Sequence, residues 1–163
     1  MSLRTSRTVV GSLLLAVGLM AAACAKRREG AASPGPDPEL AKRGSIEVTA
    51  TLVEIPEGAI FQRDLYNYAT VLKYEVLEVH RGKVKGQTIY VGHYNPFKPR
   101  SEAADRRVQD VGGKLKSFRD GQVHRMALEE SMLDHFTGGI LNKYSGEDTD
   151  PIYWAVWTDL VSG

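Results

Sequence analysis

From Gly44 onward apolar and polar side chains alternate with a period of two, with Ile46, Val48, Ala50 and Leu52 on one face and Glu47, Thr49 and Thr51 on the other. That period predicts a half-buried strand, because successive side chains of extended backbone point to opposite sides. Pro56, Glu57 and Gly58 end it, and a loop through Asn67 leads to a longer β run from Tyr68 to His80. Within that run Leu72, Tyr74 and Val76 hold one face, and then the apolar phase jumps to Leu77 and Val79. A phase slip inside one strand predicts a β-bulge, which bends a long strand enough to close a small barrel.

Arg81 to Gly86 carries two glycines and reads as a turn, after which Ile89, Val91 and His93 alternate with Thr88, Tyr90 and Gly92. These two strands are expected to form a hairpin. Beyond Pro96 and Pro99, Ser101 is placed as an N-cap with Glu102 behind it. Ala104, Val108 and Val111 at i, i+4 and i+7 then predict a helix that Gly112-Gly113 stops. Gln122 to Glu129 alternates again, with His124, Met126 and Leu128 on one face, and Ile152 to Val161 makes a last strand carrying Tyr153, Trp154 and Trp157. Between them Met132, Leu133 and Phe136 suit a short helix within Ser131 to Tyr144. The element order predicts a mainly β domain over residues 45–163, a small five-stranded OB-like Greek-key barrel with one helix between strands 3 and 4. Roughly 120 residues are enough to bury one core.

The chain before the barrel has a different character. A basic start with Arg4 and Arg7, an apolar run from Gly11 and small residues before Cys24 have the form of an export signal over residues 1–23, too short to span a bilayer comfortably. Ala21, Ala22 and Ala23 followed at once by Cys24 resemble the lipobox of bacterial lipoproteins. The resemblance implies that the Cys24 thiol carries diacylglycerol and becomes the first mature residue; Ala25 after it resembles lipoproteins sorted to an outer membrane. Residues 24–44, from Lys26-Arg27-Arg28 through Pro34, Pro36 and Pro38, read as a flexible tether with cations beside the lipid. Cys24 is the only cysteine, so a lipidated chain has no thiol left for a disulfide, a zinc-thiolate site or a cysteine nucleophile.

The net charge is +1, but it is unevenly spread. Lys73 to Arg125 holds twelve Lys and Arg against six Asp and Glu, whereas Met126 to Gly163 holds only Lys143 against seven acids. Mutual neutralisation of adjoining segments is the expectation, and a basic patch for an anionic polymer is the sharper alternative.

Ala50-Thr-Leu-Val-Glu54, Tyr74-Glu-Val-Leu-Glu-Val-His-Arg-Gly82 and Ile89-Tyr-Val-Gly92 resemble the opening strands of netrin-like domains, the OB-type barrels of tissue inhibitors of metalloproteinases. The resemblance covers residues 46–92 and implies the fold. It does not carry over the family's metal-chelating N-terminal cysteine, because Cys24 stands a tether away from the barrel.

Candidate chemistry is sparse. The four histidines, His80, His93, His124 and His135, are the soft metal-ligand candidates, and no two have the spacing of a local zinc site; a site needs strands to bring them together, and although His93 and His124 lie on the apolar phase of their strands, hydrogen-bonded core or rim histidines are the expectation. Ser131, Asp134 and His135 have the residue types of a hydrolase triad without a nucleophile elbow. Glu147, Asp148 and Asp150 lack the alternating ligands of a calcium loop. Tyr90, Tyr94 and Phe97 with Lys98 and Arg100 cluster at the end of the third strand, where OB barrels build ligand faces, and form the expected binding face. The expected protein is a membrane-anchored envelope lipoprotein without a cofactor or chemistry of its own, facing the periplasm or the cell surface. It would bind an envelope polysaccharide or protein and no nucleic acid. A histidine-metal envelope hydrolase and a structural spacer are the alternatives.

Overall fold

The computed structural model describes residues 38–61, 67–144 and 146–162; the leader, Cys24 and most of the tether lie outside the described residues. Five strands close into a barrel: β1 (Ile46–Glu54), β2 (Tyr68–Arg81), β3 (Thr88–Tyr94), β4 (Val123–Glu129) and β6 (Ile152–Ser162). β1 lies antiparallel between β2 and β4, β2 forms the expected hairpin with β3, β4 pairs with β6, and a parallel β3–β6 pairing shuts the ring. This is a small OB-like barrel. The three-residue β5 (Gly139–Leu141) is additional and runs parallel to the start of β2.

The bulge falls at the phase slip. Thr49 pairs with Glu78 and Ala50 with Val76, so Leu77 is the extra residue, and a second shift follows beside His80. Leu77 is 57% exposed, which accounts for an apolar residue out of phase.

Two cores flank the barrel wall. Val48, Ala50, Leu52, Leu72, Tyr74, Ile89, Val91, Met126, Leu128 and Ala155 fill the interior. Alternate residues of the same strands, Val71, Tyr90, Tyr94, Trp154 and Val156, pack outside the wall with Met132, Phe136 and Tyr144 from the β4–β6 connection. Strands buried on both faces read as continuous apolar runs, as β6 does.

The helix expected across Ser101 to Val111 is reduced to a single 3-10 turn, Arg100–Glu102, which Pro99 precedes without a side-chain cap. Asp105 takes the chain out of the helix. Its Oδ1 accepts the Arg107 and Val108 N–H groups at 2.7 and 3.1 Å, and its own N–H bonds back to Val108 O at 2.9 Å. An Asp side chain that satisfies nearby N–H groups competes with helical hydrogen bonding. Val108 and Val111 are nevertheless buried, against the outer core. A short helix does form in the second stretch, α2 (Met132–His135).

The tether ends sooner than its composition implies. α1 (Pro38–Ala41) packs Leu40, 0% exposed, into the outer core. Arg81 donates to the carbonyls of Leu40, Ala41, Arg43 and Gly44, satisfying groups that a helix terminus leaves free. The Arg43 guanidinium lies 4.3 Å from the Trp157 ring centre. Residues 38–44 therefore belong to the barrel domain.

The basic and acidic stretches neutralise one another at several points. Lys73 pairs with Glu147 at 3.1 Å and Lys85 with Asp148 at 3.5 Å.

Candidate functional site

The expected ligand face at the end of β3 is built over. Tyr90 and Tyr94 are buried in the outer core beneath Met132, Phe136 and Tyr144; the Tyr94 ring centre lies 5.2 Å from Phe136 and that of Tyr90 lies 5.0 Å from Tyr144. A Cβ on Gly92 would stand 2.3 Å from the Met132 sulfur, so glycine at this position lets the connection seat directly on β3. The Tyr94 hydroxyl donates to Asp105 at 2.8 Å, and that of Tyr90 donates to Glu147.

Arg100 is 2% exposed. Its guanidinium donates to the carbonyls of Tyr94, Asn95 and Lys98 and lies 5.4 Å from the Phe118 ring centre, and burial lowers its pKa to about 10. Tyr94 and Arg100 are thus part of the frame, whereas Tyr90 also borders a separate cleft of about 230 Å³ with Lys85, Asp148 and Tyr153. Phe97 and Lys98 stay partly exposed, with Phe97 stacked at 6.0 Å on Tyr68 and the Lys98 ammonium 5.5 Å above Phe97.

The barrel does bring His93 and His124 together, on either side of Tyr74. The Tyr74 hydroxyl lies 3.1 Å from His93 Nε2 and 3.1 Å from His124 Nδ1, all inside the barrel. The proton positions follow from the far end of the network. Gln122 Oε1 accepts the Arg119 main-chain N–H at 2.9 Å, so it must also accept from His124 Nε2 at 3.1 Å. His124 then receives the Tyr74 O–H on Nδ1, and His93 donates its Nε2–H to the Tyr74 oxygen. Burial lowers the pKa of both imidazoles, His124 to about 4 and His93 well below its ordinary value, and raises that of Tyr74. Among the described residues no group of three or more His, Cys, Asp or Glu is placed to hold a metal.

The Ser131, Asp134 and His135 residue types do not assemble into a triad. Ser131 sits at a φ of 62° before α2 and meets Asp134 only through a main-chain bond of 3.1 Å from the Asp134 N–H to the Ser131 carbonyl.

The open site lies elsewhere, at the root of the tether. A cleft of about 320 Å³ is bounded by Arg43 and Gly44, by Arg107 to Asp110, by Glu129 at the end of β4 and by His135 of α2. Trp154 and Val156 of β6 form its apolar floor. Arg43 is oriented by Trp157 beneath it and by Glu39 at 3.6 Å, and Glu129 by the Ser45 hydroxyl at 2.6 Å. Pre-positioned cations and carboxylates over an apolar floor have the character of a recognition site. The sequence held no signal for it, because its walls come from four separated segments, of which only His135 drew attention as candidate chemistry. Comparison with known proteins found no matching family model, curated protein or solved structure.

Proposed function

We propose that this chain is a bacterial envelope lipoprotein, acylated at Cys24, whose OB-like barrel is a binding or accessory module for an envelope component and performs no chemistry of its own. The open cleft beside the tether root carries this reading, since Arg43, Arg107, Asp110 and Glu129 converge there on an apolar floor. The residue types that could have supported hydrolysis are enclosed in the barrel or spread along α2. Among the described residues no helix is long and apolar enough to cross a membrane; in this reading the lipid at Cys24 supplies the attachment.

Two measurements test it. In fractionated cells the natural chain should sediment with membranes, and Cys24→Ser should move into the soluble fraction; a Cys24→Ser chain that stays with membranes refutes the anchor. Affinity capture from detergent-solubilised envelope should retain a component that Arg107→Ala combined with Asp110→Ala releases. Equal retention by both proteins would sink the cleft as the binding site.

A further inference from the structure

The two arginines and two carboxylates of the cleft are opposite charges sharing one concavity, which suits a ligand that itself carries both signs. Arg43 and Arg107 offer planar donors to a phosphate, and Asp110 and Glu129 offer acceptors to an ammonium. The floor of Trp154 and Val156 suits the short carbon link between two such groups. Arg107 and Asp110 are exposed and lie three positions apart on the segment that Asp105 turns, so both signs are presented from one wall.

We infer that the cleft seats the zwitterionic headgroup of a phospholipid, a phosphate joined to a primary ammonium, and so docks the barrel on the membrane that anchors it. The inference rests on the anchored reading for its biological setting. Arg43, which lines the cleft, follows Pro38 by five positions, and Cys24 precedes Pro38 by fourteen. Fourteen residues span at most about 50 Å even when fully extended. An acylated Cys24 therefore keeps Pro38, five positions before Arg43, within that distance of headgroups, and a restricted volume of this kind raises the effective ligand concentration enough for a weak site to be filled. The Arg43 ion pair with Glu39 on α1 and its stacking on Trp157 hold the guanidinium before a headgroup arrives.

The test uses the mature chain from position 24 carrying Cys24→Ser, so that neither leader nor acyl group contributes and the outcome is independent of lipidation. Co-sedimentation is measured with vesicles of phosphatidylethanolamine in a phosphatidylcholine background, of phosphatidylcholine alone and of phosphatidylglycerol in phosphatidylcholine. Binding should be strongest with the ethanolamine lipid, whose ammonium can donate hydrogen bonds where the trimethylated one cannot. Arg107→Gln and Asp110→Asn should each weaken it about tenfold. Both positions are exposed, and circular dichroism verifies that each variant is folded. Equal binding to all three vesicles, or strongest binding to phosphatidylglycerol that Asp110→Asn leaves unchanged, overturns zwitterion recognition. Soluble phosphoethanolamine that leaves the Arg107 and Asp110 resonances unmoved at millimolar concentration overturns headgroup recognition.

Discussion

Replacing Gly113 by Ala is expected to cost about 4 kcal/mol or more, a loss at the upper end for a single substitution. Gly113 has a φ of +135°, and a Cβ built there would stand 2.0 Å from the Thr158 carbonyl oxygen and 2.8 Å from the Thr158 nitrogen. Those atoms are main chain of β6 and cannot swing aside. The contact is close because residues 112–115 run along the part of β6 beyond its pairing with β3. Gly112 N–H bonds to Val156 O at 2.9 Å, Thr158 N–H to Gly112 O at 3.0 Å, and Leu115 N–H to Thr158 O at 3.3 Å. Lifting the segment to admit a methyl group would break these bonds and disturb Leu115, whose carbonyl accepts the Arg100 N–H at 2.8 Å.

Gly121→Ala supplies the contrast. Its φ of +81° is also left-handed, but a Cβ there meets nothing within 4 Å, so only the backbone cost of about 1–2 kcal/mol applies. Thermal melts should place Gly113→Ala roughly 10 °C or more below Gly121→Ala. Coincident melts would show that residues 112–115 do not lie against β6 in solution.

The barrel was legible because alternation is a local signal with one cause, the opposite orientation of neighbouring side chains in a strand. Ile46 to Leu52, Ile89 to His93 and His124 to Leu128 carry it without interruption, and the slip at Leu77 marks the bulge that bends β2. The span from Ala104 to Val111 misled for a related reason. Val108 and Val111 are buried by an irregular chain while Ala104 is exposed, and the competing Asp105 side chain is invisible to periodicity. Leu40 was missed because one apolar residue among prolines and charges makes no pattern, although Arg81 and the outer core hold it in place.

The site was less legible than the fold. Aromatic and cationic residues at the end of β3 have the same composition whether they face solvent or a covering segment. Gly92 was the one local hint of a close approach, and it could not name Met132 as the neighbour. The cleft at the tether root depends on the residues after α1, the segment that follows Asp105, the end of β4 and α2 converging over β6, and no single stretch of sequence records that convergence. In the same way His93 and His124 became partners only through Tyr74, which stood in the sequence as one more apolar-phase residue of a strand.

That buried network makes acid the condition under which the barrel should fail. A histidine whose folded pKa lies below its unfolded one stabilises the fold fully only above about pH 6.5. As pH falls below that value the unfolded chain takes up protons that the folded chain refuses, and stability drops until the folded pKa is reached. For His124, with a folded pKa of about 4, the loss between pH 6.5 and pH 4 amounts to about 3 kcal/mol. His93 adds to it in the same direction.

The groups facing the pair explain why a proton is unwelcome. Tyr74 comes from β2, Gln122 precedes β4, the Phe118 ring centre lies 4.7 Å from that of His93 with the planes tilted by 60°, and Arg100 is a buried cation whose charge itself lowers the His93 pKa. A proton on His124 Nδ1 would aim a second N–H at the Tyr74 oxygen, which already accepts from His93 Nε2. The Tyr74 hydroxyl proton then has no acceptor within the network, because His93 Nε2 already carries a hydrogen and the Gln122 oxygen is already shared. Urea titrations should therefore show a midpoint that falls steeply from pH 6.5 to pH 4. His124→Gln, which keeps a polar group at the position but cannot titrate, should be less stable at pH 7 and flatter across that range, and His93→Gln provides the same test from the other end of the network. Asp105 and Glu147, both depressed by the hydrogen bonds they accept, steepen the loss only below the usual carboxylate range. A wild-type midpoint that stays level down to pH 4.5 would mean that the two imidazoles are solvated or otherwise free to charge, and the enclosed His93–Tyr74–His124 arrangement would be wrong.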